Sequence, residues 1–249
     1  MRSFMNLVTN EWLKMSKKRS FFIPYAIIAV ISVTVAWVIN RWGGNMDLSV
    51  YEYTGMMSSI DGFGKFVAML AIIFTAGMVS KEHSQGTIKF LLIRGQSRLK
   101  ILASKYAAAL LFVVSLIVWL HVTCFASGAL FFGIKQSPGV WNDMLIVGGS
   151  TLVYSIVYTT LAFMMGVLTR SSGAAMGLGM MAVVLSSIVI PKNFYKYVLF
   201  PNVNLSVYSH GGQPPIEGMT LPFSITVLAI YLILFLGVSF VTFKRRDIA

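Results

Sequence analysis

Residues 80–105 have the sequence SKEHSQGTIKFLLIRGQSRLKILASK and separate two strongly apolar segments. This central stretch carries six of the 20 Lys and Arg residues of the chain. Within it, Thr87 can cap a short helix of residues 88–94, because a threonine oxygen accepts a hydrogen bond from a free N–H of the first helical turn. Gly95 suits the end of that helix, and Ser97 can cap the next one. We therefore predict a small basic helix between two membrane spans, where it can contact a partner.

The composition excludes a water-soluble domain. Of the 249 residues, 57% are apolar and 11% are charged, whereas soluble domains have about 25% charged residues. The sequence therefore predicts an all-α integral membrane protein. The net charge of +12 lies in loops and tails beside apolar runs, as expected near anionic lipid headgroups, and we expect no nucleic-acid binding. Cys124 is the only cysteine, which excludes an intramolecular disulfide.

The apolar segments on both sides of the central stretch predict six membrane spans in one transmembrane domain, residues 1–249. A span needs about 20 apolar residues to cross the bilayer. Residues 81–103 are predicted to form a cytoplasmic loop, and the segment from Asn40 to the second span is predicted to be a loop on the other side. The six predicted spans cover about residues 21–40, 63–80, 104–132, 144–168, 172–190 and 221–243.

Residues 1–20 predict an amphipathic helix that lies in the membrane interface. Five apolar residues recur at helical spacing and share one face: Phe4, Leu7, Val8, Trp12 and Met15. Glu11 falls on or beside this face. It either reaches outward to pair with Lys14 or Lys18, or it contacts a partner.

The distribution of Lys and Arg predicts the orientation, because these residues favour the cytoplasmic side. With the N-terminus inside, 15 of them are cytoplasmic and five are external. This bias places both termini in the cytoplasm, which requires an even number of spans and agrees with six.

Motifs of catalysis and of ion coupling are missing from the sequence. We find no phosphate-binding loop, no His-Glu-x-x-His and no Gly-x-Ser-x-Gly. The predicted span cores contain no Asp or Glu, although an ion-coupled carrier usually binds its ion at an intramembrane carboxylate. We therefore expect neither an enzyme nor a cofactor in this chain, and any energy source on another chain.

Three further features of the predicted spans and loops have two interpretations each. His121 in the third span is a candidate residue of a transport path, or it hydrogen-bonds a neighbouring helix. Gly173 and Gly177 form a small face that serves a subunit interface or packing within the chain. Residues 193–200 form a short interfacial or re-entrant helix, or an ordinary ordered loop.

The central stretch resembles the membrane subunit of bacterial type 2 ABC exporters, in which a permease pairs with a separate ATPase. The family's loop between the second and third spans has a Glu, then Gly-Thr, Leu-Leu, Arg-Pro and Ser-Arg, and a later Lys. Gly95 departs from the family, which commonly has Pro there, although either residue ends a helix. The residues that match are Glu82, Gly86, Thr87, Leu91, Leu92, Arg94, Ser97, Arg98 and Lys105.

The resemblance implies a multi-pass permease of the bacterial plasma membrane whose residues 81–98 include a helix that docks in a cleft of the ATPase. It implies ATP and Mg²⁺ on that partner, a second permease copy or related permease, and an exported drug, antimicrobial peptide or other amphipathic cargo. The residues expected to couple to the ATPase are Glu82, Gly86, Thr87, Phe90, Leu91, Leu92, Arg94 and Arg98.

Two alternative functions stay open at this point. The chain is an ATP-independent channel or carrier, or it is a non-transporting immunity or assembly protein. A separate alternative for the central stretch is a basic, lipid-facing loop that only fixes the topology.

Overall fold

The computed structural model describes residues 2–43, 48–84, 97–134, 140–209 and 212–245, with the backbone alone for residues 2, 3 and 79–84. All regular secondary structure in these ranges is helical. The α-helices are α1 (Arg2–Ser16), α2 (Ile23–Trp42), α3 (Val50–Ser58), α4 (Lys65–Ser84), α5 (Arg98–Phe131), α6 (Val140–Thr169), α7 (Ser172–Leu185), α8 (Leu199–Asn202) and α9 (Leu221–Arg245).

Five helical segments in the described ranges are long and apolar enough to cross a membrane, so the protein is an all-α membrane protein. They are Arg19–Trp42, Ile60–Met78, Arg98–Phe131, Val140–Thr169 and Leu221–Arg245. The predicted span of residues 172–190 contains α7, which has 14 residues and a length of about 21 Å at 1.5 Å per residue. This helix is shorter than the bilayer core of about 30 Å.

The predicted loop after Asn40 is wrong in part, because it contains α3. Ser49 and Glu52 form a reciprocal capping box at its start, which satisfies two backbone N–H groups. Tyr53 is fully buried, and its hydroxyl donates a hydrogen bond to the Ser32 carbonyl of α2. The second span is therefore preceded by a helix that packs inside the bundle.

A π-helical turn, Ile60–Gly64, joins α3 to α4. The Thr151 hydroxyl of α6 donates a hydrogen bond of 2.8 Å to the Ser58 carbonyl at this break. Gly64 has no room for a side chain, since an added Cβ would lie 2.8 Å from both Thr151 Cγ2 and the Ser59 carbonyl oxygen. Close packing against α6 therefore fixes the break.

The centre of the bundle is built from α4, α6 and α7. Gly179 of α7 lets these helices approach, because an added Cβ would lie 2.9 Å from Ile72 of α4 and 3.0 Å from Ala162 of α6. Arg170 connects α6 to α7 in the left-handed conformation, with φ at 54°. Ser171 then caps α7 by accepting a hydrogen bond from the Ala174 N–H at 3.3 Å.

Candidate functional site

Two described helices extend into the central stretch from its two ends. α4 ends at Ser84, and α5 begins at Arg98. The Ser97 hydroxyl accepts a hydrogen bond of 3.4 Å from the N–H of Lys100, which confirms the predicted cap. Among the residues predicted to couple to an ATPase, Arg98 has a described side chain, and Glu82 lies near the end of α4 with its side chain outside the described residues. Six lie wholly outside them: Gly86, Thr87, Phe90, Leu91, Leu92 and Arg94.

A buried ion pair lies two turns along α5 from Arg98. Lys105 Nζ is 2.8 Å from Glu11 Oε2, and the two side chains are 2% and 11% exposed. Charges are buried in proteins only when they are paired, because removing them from water costs several kcal/mol each. The pair therefore fixes the position of α1 against the N-terminal part of α5.

Lys14 binds the second carboxylate oxygen of Glu11 from the solvent side. Its Nζ lies 2.6 Å from Glu11 Oε1, and its side chain is half exposed. Burial acts to raise the pKa of Glu11, but the charges and hydrogen bonds of Lys105 and Lys14 outweigh burial and hold this pKa below its ordinary value. Glu11 is therefore ionised at neutral pH, with both oxygens bonded.

The helical repeat of α1 brings Glu11 to this place. Val8, Glu11 and Met15 are spaced three and four residues apart, so they share one face, and Val8 and Met15 are both buried. Trp12 packs edge-on against Phe21, with ring centroids 5.5 Å apart. The part of the predicted apolar face that contains Val8, Trp12 and Met15 thus packs within the protein.

The predicted pairing of Glu11 is right for Lys14. Lys18 is exposed, and both carboxylate oxygens of Glu11 are already bonded by Lys14 and Lys105. Sequence reasoning missed Lys105 as the buried partner, because the two residues are 94 positions apart and no local spacing connects them.

His121 lies between α5 and α6. Its Nδ1 is 2.8 Å from the Ile117 carbonyl oxygen of its own helix, so this contact is not the predicted bond to a neighbouring helix. The ring packs against Gly148 of α6, where an added Cβ would lie 2.9 Å from Nε2. His121 Nε2 is buried and has no hydrogen-bond partner in the described ranges.

Gly173 and Gly177 lie on the outer face of α7. Both are exposed, and in the part of the chain that the structure describes no atom lies within 4 Å of a Cβ added at Gly177. Packing within the chain uses Gly179 instead. Among the described residues, this pair makes no close contact with another helix.

Residues 193–202 form two short helices. They are a 3₁₀ helix, Asn193–Tyr197, and α8, so a short helix in this region is confirmed. Asn202 is fully buried and donates hydrogen bonds to the carbonyls of Lys196 and Val198. Ser224 of α9 donates to the Asn202 side-chain oxygen at 2.8 Å.

One family model matches most of the chain and assigns its family. Residues 15–249 match the model of a family described as a protein of unknown function, DUF2705. The chain belongs to the DUF2705 family. It is 28% identical over 312 aligned residues to the uncharacterized protein YhcI of Bacillus subtilis (strain 168), which covers 98% of this chain and 99% of YhcI.

A second relative of this DUF2705 protein agrees with its membrane location. The chain is 24% identical over 245 residues to the uncharacterized membrane protein YdbK of Bacillus subtilis (strain 168), which covers 95% of this chain and 99% of YdbK. The residues matched to the DUF2705 family include the central stretch and Lys105, whereas Glu11 precedes them.

The charged groups at this site of the DUF2705 protein are Glu11, Lys14 and Lys105. The described residues contain no group of three or more His, Cys, Asp or Glu residues arranged to hold a metal ion. The Glu11–Lys105 pair connects α1 to the helix that leaves the central stretch.

Proposed function

We propose that this chain is the permease subunit of an ABC exporter in the bacterial plasma membrane. It has six spans, cytoplasmic termini and an N-terminal interfacial helix. A separate subunit binds ATP and Mg²⁺ and supplies the energy, and the chain itself catalyses no reaction. The cargo is a drug, an antimicrobial peptide or another amphipathic compound.

The observation that carries the proposal is the attachment of the central stretch to the bundle. Its exporter-like residues lead into α5, whose first turn is capped by Ser97. Two turns further, Lys105 is bonded to Glu11. A docking helix must be rigidly attached to transmit the closing of an ATPase, and the Lys105–Glu11 pair supports this role because it joins α5 to α1.

The course of α7 supports a sixth span. Near the start of α7, Gly166 of α6 lies close to both α4 and α7. A Cβ added at Gly166 would lie 3.1 Å from the Ala76 carbonyl oxygen of α4 and 3.7 Å from the Ala175 Cβ of α7. Beyond the other end, Ser187 Oγ lies 3.2 Å from Lys65 Nζ. Lys65 and Ala76 are about 16 Å apart along α4. The segment of α7 and the turn after it therefore run antiparallel to α4 over this length, which supports the proposed sixth crossing.

The exposed face of α7 supports an assembly of two permeases. Gly173 and Gly177 leave a shallow surface on which a second helix can approach closely. We propose that this face meets a second copy or a related permease. His121 is the proposed residue of the transport path, because its buried Nε2 has no described partner.

Co-purification tests the proposal. The tagged chain is isolated from its native membrane in mild detergent, beside Leu91→Asp and the conservative control Leu91→Met. We expect a stoichiometric ATP-binding protein with the wild type and with Leu91→Met, and its loss with Leu91→Asp at equal permease yield. A wild-type sample without an ATPase would contradict the proposal. Cargo flux from the purified chain alone in liposomes would instead favour an ATP-independent channel or carrier.

A further inference from the structure

A groove of about 390 Å³ lies where the connection from α1 to α2 meets α4. Ile23 and Ile27 of α2 line one wall, and Leu70, Ile73 and Phe74 of α4 line the other. Ile23 and Ile73 are half exposed, at 55% and 45%. The groove is therefore an apolar channel that is open on the side where α2 and α4 meet lipid.

The mouth of this groove is positively charged. Lys18 and Ser20 line it, and Lys17, Lys18 and Arg19 are consecutive and exposed. No ion pair with these three residues occurs in the described ranges. The nearby carboxylate of Glu11 has both oxygens bonded to other lysines. The three cations are therefore available to an anionic ligand.

We infer that this groove binds one anionic phospholipid. Its phosphate lies between Lys18, Arg19 and the Ser20 hydroxyl, and one acyl chain lies between Ile27 and Ile73. The inference rests on the membrane location of the protein and not on its proposed function.

The position of the cations favours a lipid over other ligands. The first membrane-crossing segment begins at Arg19, so the charged mouth lies at the membrane surface and the apolar walls run into the bilayer. An anionic lipid has the same order of groups, with its charge at the surface. A free phosphate would not contact the apolar walls of the groove, and an apolar helix would leave the three cations without an anionic partner.

The headgroup contact is tested by native mass spectrometry of the delipidated protein titrated with phosphatidylglycerol or phosphatidylcholine. We expect one tightly bound phosphatidylglycerol. Lys18→Gln/Arg19→Gln should weaken it about 30-fold, because each basic residue near a membrane surface adds to the attraction. The matched control, Lys244→Gln/Arg245→Gln, removes two exposed cations from the end of α9 and should leave the affinity within about twofold. Equal losses in both variants would overturn the inference, since only diffuse attraction would remain.

The acyl contact is tested by filling the groove without a change of charge. Ile73→Trp should reduce phosphatidylglycerol binding, whereas Ile233→Trp, at a 71% exposed position of α9, should leave it unchanged. A third arm adds inorganic phosphate as the competitor. If phosphate displaces the lipid completely and Ile73→Trp has no effect, the site is a phosphate site and the inference is wrong.

Discussion

Lys105 Nζ lies 2.8 Å from Glu11 Oε2, although 94 residues separate the two side chains in the sequence. Both are buried, and Lys105 is 2% exposed. The pair joins the N-terminal helix to α5 at the last residue of the central stretch. Its loss should therefore disturb both the fold and the proposed coupling.

Glu11→Gln should lower the free energy of unfolding by about 3–5 kcal/mol, because it leaves the Lys105 ammonium buried without an opposite charge. Lys14→Gln is the matched control. Lys14 is half exposed, and an exposed ion pair contributes at most about 1 kcal/mol. Thermal unfolding in detergent measures both variants. Equal effects would contradict a special role for the buried pair.

The same pair predicts how stability depends on pH. The pKa of Glu11 in the folded protein is below the ordinary value of 4.5, so the unfolded chain binds more protons in this range. The stabilisation is therefore fully present above pH 4.5 and is lost as the pH falls through the lower folded pKa. The melting temperatures of the wild type and Glu11→Gln should differ by a constant amount from pH 5 to 8 and converge in acid. A constant difference at every pH would show that Glu11 contributes by shape alone.

The glycines of α7 should separate folding from assembly. Gly179→Ala places a methyl group 2.9 Å from Ile72 Cγ2, and such overpacking costs about 1–3 kcal/mol. Gly177→Leu points into open space and should leave the melting temperature unchanged, yet it should weaken the proposed contact with a second permease. Light scattering of the purified protein measures the assembly. An unaltered assembly with Gly177→Leu would remove this face from consideration.

The break between α3 and α4 should be intolerant of a single methyl group. Gly64→Ala would place a Cβ 2.8 Å from the backbone oxygen of Ser59 and from Thr151, so we expect a loss of at least about 1 kcal/mol. Gly55→Ala is the control, because no atom of the described chain lies within 4 Å of its added Cβ. Alanine in that helical position should raise stability by about 0.5–1 kcal/mol.

The apolar length of a segment was sufficient to predict the long helices, because a bilayer requires about 20 apolar residues whatever the neighbouring helices are. The cap at Ser97 was predictable for a similar reason, since it depends on its own helix turn. The helix α3 was missed, although the pair of Ser49 and Glu52 is a local signal for a helix start.

Contacts between distant segments could not be predicted from this sequence alone. Gly173, Gly177 and Gly179 are chemically identical, and only the rotation of α7 against α4 and α6 decides which of them is buried. The burial of Lys105 likewise depends on where α1 docks. A lysine just inside a predicted span has the same local sequence whether it reaches the water or pairs with Glu11.

Arg170 gives the connection between α6 and α7 a cost that glycine would avoid. An L-residue in the left-handed conformation loses about 1–2 kcal/mol, so Arg170→Gly should yield a protein with a higher melting temperature. In the proposed topology, the same change removes a positive charge that favours the cytoplasmic side for this bend while the chain enters the bilayer. We therefore expect cysteine labelling from the two membrane sides to detect more inverted α6–α7 hairpins in the variant. We therefore expect the charge of Arg170 to act during membrane insertion, before the folded state exists.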